Sequence, residues 1–142
     1  MRIPSLTDKE GEEVKTLAFT IDASTSWTKG GGASVGKPNP GSLVIRKSNN
    51  KSTAEVLKNI TQGKSFPEIT FEYYDASPKE GKAIYTITIT GAFTTEISWL
   101  TPDCSNCPKL ELKIGFAYKT IKVVDAVAGT TLTWDIPAGI SN

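Results

Sequence analysis

Leu17, Phe19 and Ile21 alternate with Ala18, Thr20 and Asp22, the period-two signature of a strand with one buried face. The alternation stops after Ser24. From Ser26 to Gly41 the chain reads Ser-Trp-Thr-Lys-Gly-Gly-Gly-Ala-Ser-Val-Gly-Lys-Pro-Asn-Pro-Gly, rich in glycine and proline and without a period, which predicts a long loop over 26–41. Loops of that length are uncommon in compact domains and are often functional. A strand resumes over Ser42-Leu43-Val44-Ile45-Arg46. Further on, Ile69, Phe71 and Tyr73 alternate with Thr70, Glu72 and Tyr74, so one of the two tyrosines is expected to be exposed. After the turn segment Ala76–Gly81, Tyr85, Ile87 and Ile89 alternate with Thr86, Thr88 and Thr90. Gly91 interrupts that run as at a bulge or sharp bend, and Phe93, Thr95, Ile97 and Trp99 continue it. The strongest pattern is Leu110, Leu112, Ile114, Phe116 and Tyr118, and a closing strand carries Leu132, Trp134 and Ile136.

One helix interrupts this series. Ser52-Thr53-Ala54-Glu55 has the form of a capping box, in which the serine oxygen accepts from the first turn and Glu55 reaches back to the cap. Ala54, Leu57 and Ile60 follow on one face and Gly63 supplies a left-handed stop, predicting a helix over Thr53–Gln62. So short an amphipathic helix belongs over an opening or flank of the sheet. Many short strands, one helix and no βαβ rhythm define an all-β chain, a small β-barrel of two packed antiparallel sheets, in a single domain over 1–142.

Charge and composition narrow the function by exclusion. Sixteen basic and fifteen acidic residues are scattered along the 142 positions, for a net charge of +1. A nucleic-acid or anionic-membrane binder would show a basic run, and none is present. The chain has no histidine, which removes the commonest general base, a common zinc ligand and the centre of most hydrolytic triads. No apolar stretch near the N-terminus has the form of a signal peptide and no window reaches 18 apolar residues, so cytoplasmic synthesis without membrane insertion is expected.

Several motifs suggest chemistry and are each better read as structure. Gly31-Gly32-Ala33-Ser34-Val35-Gly36-Lys37 spells most of a phosphate-binding loop, but Pro38 stands where the magnesium-binding hydroxyl is required, and Asn39-Pro40-Gly41 opposes the helix that must follow. Cys104-Ser105-Asn106-Cys107 lies between Pro102 and Pro108, which points to a turn. Its thiols are open to three readings: an inert or locally crosslinked turn, a reversible disulfide, or half of a zinc site shared between subunits. Trp99 and Trp134 are in phase with apolar neighbours and are expected in the core, leaving Trp27 as the one tryptophan for exposed contact. Asp75 with Glu80, or Glu12 with Glu13, could be cast as paired catalytic carboxylates, but a barrel this small offers no long groove for them. No enzyme activity and no cofactor are expected.

Taken in order, strand, Gly-rich segment, strand, capped helix ending in Gly63-Lys64, and a meander closing on Trp134-Asp135 resemble the haemolysin-coregulated protein (Hcp) family, the inner-tube proteins of type VI secretion systems, which are similar to phage tail-tube proteins. Leu17–Ser24, Ser52–Lys64, Phe116–Ile121 and Leu132–Ile136 carry the resemblance, which runs over about Glu10 to Ile136. The cysteine pair is not part of that family's pattern. The resemblance implies a homohexameric ring that stacks into a hollow tube, and as partners the sheath and spike protein (VgrG) of the machine and small effectors in the lumen. It also implies export through that machine. The segment from Trp27 to Pro40, with Trp27, Lys29, Lys37, Pro38 and Asn39, would bear on ring stacking. The competing expectation is a monomeric β-sandwich module that binds a carbohydrate or protein ligand through Trp27.

Overall fold

In a computed structural model, the structure describes residues 1–3, 7, 11–27, 33–50, 52–74, 81–100, 110–136 and 140–141. The elements are β1 (Thr16–Ala18), β2 (Ile21–Trp27), β3 (Ala33–Pro40), β4 (Leu43–Ser48), α1 (Thr53–Gln62), β5 (Ser65–Tyr74), β6 (Ala83–Leu100), β7 (Glu111–Ala117), β8 (Thr120–Asp125), β9 (Thr130–Asp135) and β10 (Ile140–Ser141). Eight strands form one antiparallel sheet in the order β1-β4-β7-β6-β8-β9-β10, with β5 added on β6. The sheet curls into a half-barrel. β6, eighteen residues long, is its spine: the first half pairs with β5 and β8, the second with β7.

Alternation along each strand builds the core. Ile69, Ile89 and Ile121 stand opposite one another across β5, β6 and β8, with Phe71, Ile87 and Val123 in the next row of that face. Leu43 and Ile45 of β4 face Phe116 and Ile114 of β7. These apolar side chains are buried, and each contributes about 1.5–3 kcal/mol relative to an exposed position. Met1 and Ile3 close the core from the N-terminal segment, and Arg2 forms a single antiparallel bridge to Thr70 on the outer edge of β5.

Four sequence expectations are corrected here. The aperiodic stretch 26–41 is not a loop in its described part: β2 and β3 pair as a two-stranded antiparallel sheet, from Ile21 opposite Pro40 to Trp27 opposite Ala33. Both strands of such a sheet are edges, which is where prolines such as Pro38 and Pro40 are tolerated, and backbone pairing there needs no hydrophobic period. The helix has the expected bounds and ends on Gly63 at φ 63°, but Ser52 makes no side-chain cap and the buried face is Thr53 and Val56, leaving Ala54 and Leu57 exposed. In β6 the buried parity changes at Gly91 (φ 56°), from Ile87 and Ile89 to Ala92 and Thr94, so Phe93 points outward. A second register shift between Thr94 and Glu96 restores the phase. Trp99 is nevertheless 48% exposed, because periodicity reports which face a residue takes and not how far along the strand the core extends. Trp134, by contrast, is buried as expected.

Candidate functional site

The β2–β3 arm is rooted on the barrel by three described residues. The Gly41 amide donates to the Thr20 carbonyl at 2.7 Å, and the Tyr118 hydroxyl donates to the Gly41 carbonyl at 3.1 Å. A Cβ at position 41 would lie 2.6 Å from the Thr20 carbonyl oxygen, so only glycine lets the two chains approach this closely. Burial pushes the Tyr118 hydroxyl above its ordinary pKa, which keeps it a neutral donor to that carbonyl.

On the face of the sheet opposite the core lies a polar wall. Thr86, Thr88 and Thr90 of β6 face Glu72, Thr70 and Glu68 of β5 on one side and Val124, Lys122 and Thr120 of β8 on the other. β9 continues the rows with Thr131, Thr133 and Asp135. One row therefore reads Thr70, Thr88, Lys122, Thr133 across four strands, about 14 Å at ordinary strand spacing. The Thr90 and Thr120 hydroxyls bond each other across the ladder. At the β5 edge, Arg2 reaches Glu72 at 2.7 Å and the Tyr74 hydroxyl at 3.1 Å. The Tyr74 hydroxyl also donates to Glu72, a bond that holds its pKa above the ordinary value. Such a wall is hydrated, keeps strand propensity and offers little apolar surface for adhesion.

One end of the sheet is different. Tyr73 faces Tyr85, which faces Asp125, which faces Thr130, and Leu132 stands opposite Val123 in the adjacent row. These positions share the phase of the core but lie past its cover: Tyr73 is 67% exposed, and Tyr85 and Leu132 are also exposed. The β8–β9 turn sits at the same end. Asp125 Oδ1 accepts from the amides of Val127 and Ala128, and Gly129 takes φ 68°. That tight geometry presents Val127 78% exposed at the tip.

Inside the half-barrel, where the N-terminal segment, β4 and α1 meet, is a charged cluster that sequence reasoning missed. Lys47 is fully buried, and its Nζ lies 2.7 Å from Asn50 Oδ1, 3.0 Å from Ser52 Oγ and 3.1 Å from Glu12 Oε2. Ser52 Oγ is 2.7 Å from the same Glu12 oxygen. Burial pushes the Glu12 carboxyl up, but its hydrogen bonds with Ser52, Lys47 and Asn50 and the Lys47 charge outweigh that, holding it below its usual value. The 3.0 Å Lys–Ser spacing has the form of an activated nucleophile. Both side chains are fully buried, however, so no substrate meets the serine and the cluster serves as an internal tie.

The residues singled out from sequence are placed unevenly. Trp27 ends β2, while Lys37, Pro38 and Asn39 fall within β3, where a phosphate-binding reading would need a helix. Lys29, Cys104 and Cys107 lie outside the described residues, as do Asp75 and Glu80. Among the described residues, no group of three or more His, Cys, Asp or Glu could hold a metal ion, and no helix is long and apolar enough to cross a membrane. Tyr73, Tyr85 and Leu132 of this end were visible in the alternation, which assigned them to a face but not to its uncovered margin, while Val127 lies in a turn that no period marked.

A curled antiparallel sheet forming a half-barrel with a single helix is the fold of solved Hcp structures. The family model described as "Type VI secretion system effector, Hcp" matches residues 5–124, and the chain belongs to the Hcp family, the structural tube proteins of type VI secretion. Solved structures give the same fold. Hcp1 from Salmonella typhimurium aligns with a TM-score of 0.79 at 15% identity, over 99% of this chain and 95% of that one. A type six secretion system protein aligns with a TM-score of 0.82 at 14% identity, over 99% and 96%. The cryo-EM structure of the anti-feeding prophage baseplate, symmetrised six-fold, contains a chain that aligns with a TM-score of 0.57 at 13% identity, over 80% and 79%. A comparison with curated proteins returns no match.

Proposed function

We propose that this chain is the repeating subunit of a type VI secretion tube: six copies close into a ring, rings stack, and the lumen carries small effectors toward a VgrG-type spike as a sheath contracts. Membership of the Hcp family over residues 5–124 is the observation that carries this reading. The structure supplies matching physics. Among the described residues, β1 and β10 end the sheet and leave unpaired backbone along its borders. Borders of this kind template further pairing, and a closed ring of identical copies removes them without propagating an aggregate.

In this reading the parts divide the work. The exposed apolar end, with Tyr73, Tyr85, Val127 and Leu132, is buried against a neighbouring copy. The β2–β3 arm, with Trp27, Lys29, Lys37, Pro38 and Asn39, reaches between rings, and the threonine wall faces the hydrated lumen. Nothing in the division needs catalysis, a cofactor or a signal peptide, since export goes through the machine. Light scattering on purified full chain tests it: a species at six times the subunit mass is expected. A monomer at every concentration would favour a solitary binding module instead.

A further inference from the structure

We infer that residues 1–3 guard the outer border of β5, a strand-accepting surface that a second copy of this chain occupies when the segment lifts. β5 is ten residues long. Among the described residues it pairs with β6 on one side and bridges only to Arg2 on the other. There the Arg2 amide donates to the Thr70 carbonyl at 2.8 Å, and the Thr70 amide donates to the Arg2 carbonyl at 2.9 Å. The segment alternates as a strand does. Met1 and Ile3 are buried in the core, and Arg2 reaches Glu72 at 2.7 Å and the Tyr74 hydroxyl at 3.1 Å. Behind it stands a clamp. The Glu12 amide donates to the Met1 carbonyl at 2.8 Å, and Gly11, at φ 78°, passes so close that a Cβ there would lie 2.6 Å from the Met1 carbonyl oxygen. Glu12 is itself fixed through its carboxylate to Lys47 and Ser52, so the internal charge cluster holds the residue that holds the guard.

A border of free amides and carbonyls templates pairing with another chain, and folded proteins blunt it with charge or with a covering segment. On β5 the charge of Glu72 beside Thr70 is answered by Arg2, so the middle of the border is protected by cover and not by repulsion. Backbone pairing asks for no matching side chains, so a second copy, which brings borders of the same kind, is the partner an uncovered β5 takes. The outcome is an open-ended addition of strands, in contrast to a closed ring. This border is distinct from those at β1 and β10, and the inference holds for a lone subunit as for one in a ring.

Two variants of the full chain lift the segment by different routes. Arg2→Glu sets a like charge against Glu72, and Gly11→Ala crowds the Met1 carbonyl. In both, hydrogen exchange of the Thr70 amide is expected to rise about tenfold, the scale of losing one charge-assisted hydrogen bond in a local opening. Fibres that bind thioflavin T and contain no hollow rings should then grow from protein whose far-UV circular dichroism is still that of the native barrel. Arg2→Glu combined with Glu72→Arg restores the attraction and should return both readouts to those of the native chain. Unchanged Thr70 exchange in both variants, or faster exchange without fibres, would overturn the inference. So would fibres that persist in the charge-swapped protein, or fibres that appear only after the barrel's circular dichroism is lost.

Discussion

Lys47 is fully buried, and its charge is tolerated only because Glu12, Asn50 and Ser52 surround it. Removing one partner of a buried ion pair leaves the other charge stranded, so Lys47→Met is expected to cost about 3–5 kcal/mol in urea unfolding. Replacing both partners, as Glu12→Leu with Lys47→Met, should recover most of that loss. If the double variant is as unstable as the single, the cluster is more than a charge pair. The pH response follows from Glu12. Its folded pKa lies below the ordinary 4.5, so its contribution is complete above about pH 4.5 and is lost as pH falls through the lower folded value. Unfolding curves on the acid side should show that loss in the native protein and not in the double variant. This residue was half legible in the sequence: Leu43, Ile45 and Lys47 alternate on one face, but a lysine there reads as a strand end. The capping box misled for a related reason, since Ser52 has a stronger acceptor and donor in Glu12 and Lys47 than any helix amide offers.

Among the elements, the strands with a clear period were readable from sequence, and those held by pairing alone were not. β5, β7 and β9 were legible as alternation. β8 was missed as a separate strand because Ile121 and Val123 follow closely on the strongest run, and only the turn at Ala126–Gly129 separates them from β9. β2 and β3 were hidden because their partner is each other, and a two-stranded arm needs no apolar face. Its root gives a direct test. Gly41→Ala drives a Cβ against the Thr20 carbonyl at 2.6 Å, so the arm is expected to be displaced. Ring stacking should fall while the far-UV circular dichroism of the barrel is kept. Tyr118→Phe, which removes only the bond to the Gly41 carbonyl, should cost about 0.5–1.5 kcal/mol by denaturant titration. Deleting residues 30–36 should leave the fold intact and abolish stacking, since the arm forms a sheet of its own apart from the eight strands.

At the scale of the whole molecule, the proposed tube covers the open borders and the apolar end of the half-barrel with copies of itself. Fold and family were legible because the order of elements survives where individual residues drift, as the 13–15% identities to structures of the same fold illustrate. The exposed apolar end, the proposed assembly surface, was not, because exposure depends on where the core stops. Val127→Asp puts a charge on the most exposed apolar side chain of that end. It should change monomer stability by less than about 0.5 kcal/mol and yet prevent rings from forming, a split visible by comparing thermal unfolding with sedimentation. The most direct measurement is an electron micrograph of the purified full chain viewed end-on: hollow rings with six-fold rotational symmetry are expected, and a field of single, unassociated particles at high concentration would contradict the account.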